Sequence, residues 1–148
     1  GANGSARVFY SEDYGRSWEV KSTPMMTGEF AGLTAIKKSN GKLWITGGDL
    51  AITDQQLENV YFSEDNGENW EALPEHKTPG AFYGMAVSNY LENEFVLVCG
   101  PKGAEIWLGD QDKWQSLSDE DIWTATFIDS RTALMAGRDG RMFKVELE

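Results

Sequence analysis

Hydrophobic and polar residues alternate along this chain or form short apolar blocks, and Gly, Pro, Asn or Asp ends each block after a few residues. The alternating run at residues 7–10 and the apolar run at 95–99 show the two forms. Short period-two segments bounded by turn residues predict β-strands rather than helices. Only the acidic stretch 49–58 is a candidate for a single helical turn. The pattern therefore predicts an all-β chain.

The same alternation predicts 13 strands, and their spacing groups them into sheets of up to four antiparallel strands. This grouping predicts a partial β-propeller over residues 1–148, with about three blades. Because the first and last groups are incomplete, we expect open sheet edges at both. A blade remnant, 6–22, has predicted strands at 6–11 and 18–22, and a first blade, 31–73, has strands at 31–38, 42–47, 59–63 and 70–73. A second blade, 81–117, has strands at 81–88, 94–99, 104–108 and 113–117. An incomplete blade, 122–147, has strands at 122–128, 132–137 and 141–147.

Two segments share the pattern S-x-D-x-G-x-x-W and begin 52 residues apart, at Ser11 and Ser63. A period of this length favours a propeller or another repeat array. The pattern G-x-x-G at residues 100–103 and 137–140, between apolar runs, predicts further tight hairpins. The eight motif residues are Ser11, Asp13, Gly15 and Trp18 in the first copy and Ser63, Asp65, Gly67 and Trp70 in the second.

The residue types of this motif suit a structural role. The aspartate can accept backbone N–H bonds within the loop, and the serine hydroxyl can join that network. The glycine supplies a left-handed backbone conformation, and we expect the tryptophan ring to pack on the neighbouring sheet. A carboxylate held in this way is buried and satisfied, so the motif is interpreted as structural and no catalytic residue is predicted.

The motif S-x-D-x-G-x-x-W is that of the Asp-box repeats, also called BNR or sialidase-type repeats. Together with residues 7–11, 45–49, 118–121 and 136–140, it makes the chain resemble the C-terminal half of a bacterial propeller of the photosystem II stability and assembly factor family. The resemblance implies a seven-bladed propeller, a secreted or periplasmic location, and a role in assembly rather than catalysis. The sequence itself does not indicate a compartment.

A sialidase is the main alternative that the motif raises. Sialidases need three arginines around a substrate carboxylate, a tyrosine with a glutamate partner, and an acidic aspartate. The arginines of this chain are few, and the Arg-Ile-Pro signature of sialidases is absent; the five arginines are Arg7, Arg16, Arg131, Arg138 and Arg141.

Charge and composition exclude or disfavour several classes of partner and site. The formal net charge of −11 disfavours nucleic acid and anionic membranes as partners.

Cys99 is the only cysteine, so no internal disulfide can form, and its place in an apolar run predicts a buried thiol. No cofactor motif, metal-ligand pattern or membrane span is present. His76, the only histidine, stands between prolines and is interpreted as a solvated loop residue rather than a base or ligand.

Ligands of propellers usually meet the face where the inner strands begin, so candidate residues lie in the loops there. The longest such loop covers residues 47–58, and long loops are often functional. The candidate binding face consists of Asp49, Tyr83, Trp123 and Arg138. The alternative is that Tyr83 and Trp123 are core aromatic residues of inner strands.

Three functions are compatible with these features. The first is a non-enzymatic scaffold that binds a protein or peptide partner or assists assembly. The second is a glycan-binding propeller or a sialidase-like glycoside hydrolase. The third is a half-propeller that self-associates through its open blade edges.

Overall fold

The computed structural model describes residues 4–147, whose regular secondary structure is almost entirely β-strand. The ends of the predicted domain, residues 1–3 and 148, lie outside the described part. The all-β prediction is confirmed. The strands are β1 (Arg7–Tyr10), β2 (Glu19–Ser22), β3 (Ala31–Ser39), β4 (Lys42–Asp49), β5 (Val60–Ser63), β6 (Glu71–Ala72), β7 (Gly84–Tyr90), β8 (Asn93–Gly100), β9 (Gly103–Leu108), β10 (Lys113–Ser118), β11 (Ile122–Phe127), β12 (Thr132–Gly137) and β13 (Met142–Glu146).

The strands form four antiparallel sheets, each made of consecutive strands. Blade I contains β1 and β2, blade II contains β3 to β6, blade III contains β7 to β10, and blade IV contains β11 to β13. The first strand of blade III, β7, contacts the first strands of both neighbours, β3 and β11. Blades II, III and IV therefore meet along their first strands, as propeller blades do around an axis.

The inner strands carry an irregularity at their beginning. The register between β3 and β4 shifts at Thr34, and the register between β11 and β12 shifts at Trp123. A bulge of this kind turns the extra side chain away from the regular pleat. The neighbouring strand approaches closely at this level, because a Cβ on Gly47 would overlap the Gly32 carbonyl oxygen.

Apolar side chains between neighbouring blades form the core in three clusters. Blades I and II enclose a cluster with Met25 and Ile45, blades II and III one with Trp44 and Phe82, and blades III and IV one with Ile106. Each sheet therefore has both faces covered only where it has a neighbour on each side. Fully buried residues such as Trp44 and Ile45 lie on opposite faces of β4, as the two-residue period of a strand requires.

Two details differ from the sequence prediction. Residues 49–58 contain no helical turn: Asp49 ends β4, and residues 50–59 form an irregular loop between β4 and β5. Within residues 4–147 the one helix is a 3₁₀ turn, Arg138–Gly140, where the G-x-x-G pattern predicted a plain hairpin. Its central residue, Asp139, has φ of 58°, a left-handed conformation that aspartate tolerates better than most residues.

One edge of β1 in the first blade and one edge of β13 in the last blade are free in the described part of the chain. The strand β13 pairs only with β12, and β1 pairs only with β2. Blades I and IV therefore present unpaired backbone groups, in keeping with the expectation of open edges. Such edges are available to a further strand.

Candidate functional site

The four residues of the candidate binding face lie at one end of the blades. Asp49 ends β4 opposite the first residue of β3, Ala31. Tyr83 precedes β7, and its N–H donates to the Cys99 carbonyl at 2.7 Å near the end of β8. This is the end at which inner strands begin and second strands finish. Asp49 and Tyr83 thus occupy equivalent levels of neighbouring blades.

The other two members lie at the same level of blade IV. Trp123 is the bulge residue near the start of β11. Arg138 follows β12, and its N–H donates to the Asp121 carbonyl at 3.0 Å. The structure thus places all four residues at one end of successive blades, although no direct contact joins them among the described side-chain bonds.

Tyr83 and Trp123 are exposed, so the alternative interpretation of both as core aromatic residues is wrong. Tyr83 is 38% exposed and Trp123 is 52% exposed. Trp123 is the extra residue of a bulge, which turns its side chain out of the core, and Tyr83 lies just before β7, outside the regular pleat. The Trp123 indole N–H donates to Asp121 Oδ1 at 2.9 Å, which holds the ring in one orientation.

The face around Tyr83 is shallow. The cleft beside this ring has a volume of about 20 Å³ and is bounded by Leu50, Ile52, Pro101 and Lys102. That volume is close to the space of one water molecule, and it is far below the several hundred Å³ of a small-molecule pocket. A surface of this shape is suited to contact with a macromolecule.

The two S-x-D-x-G-x-x-W loops have nearly identical hydrogen bonds. In the first, Ser11 Oγ donates to Asp13 Oδ1 at 3.0 Å and accepts the Gly15 N–H at 2.7 Å. Asp13 also accepts the backbone N–H and the hydroxyl of Ser17, at 2.8 and 2.7 Å. Both carboxylate oxygens are therefore occupied in closing the loop.

The second loop repeats these contacts with an asparagine in place of the serine. Ser63 Oγ donates to Asp65 Oδ1 at 2.8 Å and accepts the Gly67 N–H at 2.8 Å. Asp65 accepts the backbone N–H and the Nδ2 amide of Asn69, at 2.8 and 2.7 Å. The loop geometry therefore tolerates either side chain four residues after the aspartate.

These bonds lower the pKa values of both carboxyl groups. The Ser17 hydroxyl and N–H lower the pKa of Asp13 to about 2, and the Asn69 N–H and amide lower the pKa of Asp65 to about 2. Both groups are therefore ionised at neutral pH and are poor proton donors. They are not buried, contrary to the sequence interpretation, because the loops lie on the surface and the bonds alone satisfy the carboxylates.

The two motif tryptophans differ. The ring of Trp18 is 59% exposed, lies against Gly15, and donates its indole N–H to the Gly15 carbonyl at 3.1 Å. The expectation that this ring packs on a neighbouring sheet is wrong. Trp70 is half-buried and packs against the cluster between blades I and II. The difference arises because blade I has no partner in the described chain on its other side.

His76 is buried, and the interpretation of it as a solvated loop residue is wrong. Its side chain is only 3% exposed, and Nε2 lies 2.8 Å from Asn59 Oδ1. The ring packs on Phe82 with centroids 4.6 Å apart. Nδ1 lies 3.7 Å from the carboxylate of Glu105, which belongs to the next blade. Burial lowers the pKa of His76 despite the Glu105 charge.

A signal for this buried cluster was present in the sequence. Glu105 lies inside the apolar run of β9, where a charge requires partners. Its carboxylate accepts the backbone N–H groups of Lys77 and Thr78, each at 3.1 Å. These hydrogen bonds join the segment that follows blade II to blade III. This polar cluster was not predicted from the sequence because His76 was considered without Glu105.

Neither a metal cluster nor a membrane helix is found in residues 4–147. No group of three or more His, Cys, Asp or Glu side chains there could hold a metal ion. No helix in that range has the length and apolar character to cross a bilayer. Cys99 is buried, and burial raises the pKa of its thiol to about 12.

Comparison with known structures gives a match for this arrangement of sheets. The structure of Trypanosoma rangeli sialidase in complex with the inhibitor DANA superimposes with a TM-score of 0.51. The match covers 93% of this chain and 26% of the sialidase chain, at 16% sequence identity. The chain has a sialidase-like β-propeller fold.

At this identity the sialidase-like propeller match concerns the fold alone. The chain spans about a quarter of the length of the sialidase that it matches. No protein-family model matches the chain, and no curated protein matches it.

Proposed function

We propose that this chain is a non-enzymatic, protein-binding or assembly segment of an Asp-box β-propeller. The exposed pair Tyr83 and Trp123, at one end of neighbouring blades, is the observation that carries the proposal. Exposed aromatic side chains are enriched at protein interfaces, where they bury large areas at little cost in side-chain entropy. Asp49 and Arg138 add one charge of each sign at the same level.

The shallow face favours a protein or peptide over a small molecule. The 20 Å³ cleft beside Tyr83 is too small to enclose a ligand. A partner would instead cover the rings of Tyr83 and Trp123 from above. The orientation of Trp123 is already fixed by Asp121, so little entropy is lost when a partner contacts it.

The engaged side chains argue against a sialidase-like centre in this segment. Asp13 and Asp65, with pKa values of about 2, close their own loops. Arg131 donates from Nε and Nη2 to the Leu147 carbonyl, and Arg141 pairs with Glu120. Two of the five arginines are thus used within blade IV, whereas a sialidase must gather three around one carboxylate.

The resemblance to the photosystem II stability and assembly factor family agrees with this proposal. The resemblance extends the proposal to a secreted or periplasmic propeller that holds other proteins during assembly. Glycan binding is the second candidate, because the matched sialidase structure holds the inhibitor DANA and Trp123 offers an exposed ring for a sugar. Self-association is the third, through the free edge of β13.

The test begins with selection of peptides from a displayed library on the immobilised chain. We expect selected peptides to lose at least tenfold in affinity on the double variant Tyr83→Ala/Trp123→Ala, since two aromatic anchors each contribute roughly 1–2 kcal/mol. The control is Leu91→Ala/Ile128→Ala, which removes two exposed apolar residues at the opposite end of the blades. An equal loss in both double variants would contradict the proposed face.

The competing functions are measured on the same protein. Release of dye from a chromogenic sialoside, or saturable binding to a sialylated oligosaccharide that the Tyr83/Trp123 variant abolishes, would favour the glycan function. A dimer in sedimentation that dissociates when Lys144→Pro interrupts β13 would favour self-association, because proline removes a backbone N–H donor.

A further inference from the structure

A second surface lies on the side of the molecule, between blades II and III. We call it the lateral groove; it has a volume of about 550 Å³. The outer strand of blade II, β6, is only two residues long, and Phe62 of β5 and Trp107 of β9 are half-buried beside it. The groove is lined by Phe62, Leu73, Glu75, Glu94, Trp107 and Asp112, among others.

One end of the lateral groove already holds a cation of the chain itself. Lys42 Nζ lies 2.9 Å from Glu94 Oε2 and 3.1 Å from Glu64 Oε1. The same nitrogen lies 4.9 Å from the ring centroid of Phe62 and 5.9 Å from that of Trp44. Carboxylates beside aromatic faces bind ammonium and guanidinium groups, and Lys42 shows that this groove does so.

The remainder of the groove has the same chemistry without a cation. Trp107 continues the aromatic floor, with its ring centroid 6.2 Å from that of Trp44. Glu75 and Asp112 are exposed along the walls and form no ion pair among the described residues. The lining therefore offers further carboxylates and an indole, and Lys42 is the one basic side chain among the described residues that line the groove.

Aromatic side chains distinguish the groove from an ordinary acidic surface. Phe62 and Trp107 are only half-buried and line the groove, whereas Trp44 behind them is fully buried. A lysine or arginine side chain has an apolar stem that can cover such rings and a charged end that can pair with carboxylates. An extended peptide that carries such side chains therefore matches both parts of the lining.

We propose that the lateral groove binds an extended, lysine- or arginine-bearing segment of a partner protein. One basic side chain lies over Trp107 between Glu75 and Asp112. This site is separate from the face formed by Tyr83 and Trp123. The net charge of −11 attracts a basic segment from a distance, and the groove then selects the basic side chain by contact.

The probe is a fluorescent eight-residue peptide of alternating alanine and lysine, and its matched control is the same peptide with every lysine acetylated. We expect saturable binding of the first by anisotropy, with shifts of the Trp107 indole resonance in NMR, and no binding of the second. Equal binding of both peptides, or no binding at millimolar concentration, would overturn the proposal.

Variants separate the groove from net charge. Glu75→Gln/Asp112→Asn should weaken binding of the lysine peptide about fivefold, since each exposed ion pair contributes a modest amount. Glu12→Gln/Glu29→Gln removes the same charge from exposed positions elsewhere and should change the affinity less than twofold. Equal losses of affinity in the two double variants would show that the peptide is attracted by net charge alone, and would contradict the proposed groove.

Two further variants locate the peptide. Trp107→Phe keeps an apolar ring in the core but weakens the cation–π contact, so it should reduce the affinity severalfold without unfolding the chain. Tyr83→Ala/Trp123→Ala should leave the lysine peptide bound as before. A loss confined to the Tyr83/Trp123 variant would place the peptide on the other face and refute the groove, while leaving the proposed function intact.

Discussion

His76 Nε2 lies 2.8 Å from Asn59 Oδ1, and this contact sets the protonation pattern of the buried imidazole. The Asn59 amide donates to the carbonyls of Gly47 and Gly80, at 2.9 and 3.2 Å, so its oxygen must face the ring. Nε2 therefore carries the proton in the neutral ring, and Nδ1 presents its lone pair towards Glu105. A second proton can enter only at Nδ1.

The first prediction concerns the pH dependence of stability. Burial lowers the pKa of His76 below its ordinary value of 6.5, although Glu105 acts in the opposite direction. The unfolded chain therefore binds the proton first as the pH falls through 6.5, and the free energy of unfolding decreases with acidification. Urea unfolding at pH 7.5 and 5.5 measures this for the native chain and for His76→Gln.

The variant His76→Gln serves as the control for this prediction, because it lacks the titrating imidazole. His76→Gln should be less stable at pH 7.5 by about 2 kcal/mol, because it loses ring packing and leaves Asn59 poorly satisfied. Its loss of stability between pH 7.5 and 5.5 should be smaller than that of the native chain. Equal losses in the two proteins would mean that another group causes the acid sensitivity.

A second prediction tests the close approach of β3 and β4. A Cβ on Gly47 would overlap the backbone of Gly32, whereas a Cβ on Gly32 would meet nothing within 4 Å. Gly47→Ala should therefore lower the free energy of unfolding by about 2–3 kcal/mol, since neither backbone can move without disturbing the bulge. Gly32→Ala should change it by less than about 0.5 kcal/mol or stabilise slightly. Thermal unfolding of both variants decides the matter.

Strand positions were predictable from the sequence because alternation and turn residues are local signals. The largest displacement is at β7, predicted from residue 81 and beginning at Gly84, because the Phe82 N–H donates to the Gly47 carbonyl of blade II. The candidate face could be placed at one end of the blades because strand ends are marked by local turn residues. The exposure of Tyr83 and Trp123 could not be predicted, because it depends on where the ladder of β7 starts and on the bulge in β11.

Contacts between blades were the features that the sequence did not predict. Trp18 and Trp70 occupy the same motif position, yet the first is exposed and the second packs against a cluster. His76 is buried beside Glu105, which is 29 residues away in the chain and belongs to another blade. Such properties depend on which sheets stack together, and no periodicity within one segment records them.

A third prediction addresses the ionised loop aspartates. The pKa of Asp65 is about 2 in the folded chain, below its ordinary value of 3.8, so its contribution to stability is present above pH 3.8 and is lost as the pH falls towards 2. Asp65→Asn should lower the melting temperature at pH 7, and the gap from the native chain should close near pH 2. Asp54→Asn, at an exposed position, is the control and should change little at either pH. A gap for Asp65→Asn that is independent of pH would contradict the ionised-carboxylate explanation.

The last prediction uses Cys99 as a reporter of blade III. The thiol is fully buried in β8, and burial raises its pKa to about 12. The thiolate is the reactive form, so the folded chain should not react with a disulfide reagent at pH 8 over an hour, while the urea-unfolded chain reacts with one equivalent. At low urea the labelling rate should follow the unfolding equilibrium measured by Trp fluorescence, because the thiol becomes accessible only when β8 separates from its neighbours. Rapid labelling of the native chain would show instead that blade III opens on its own, without unfolding of blades II and IV.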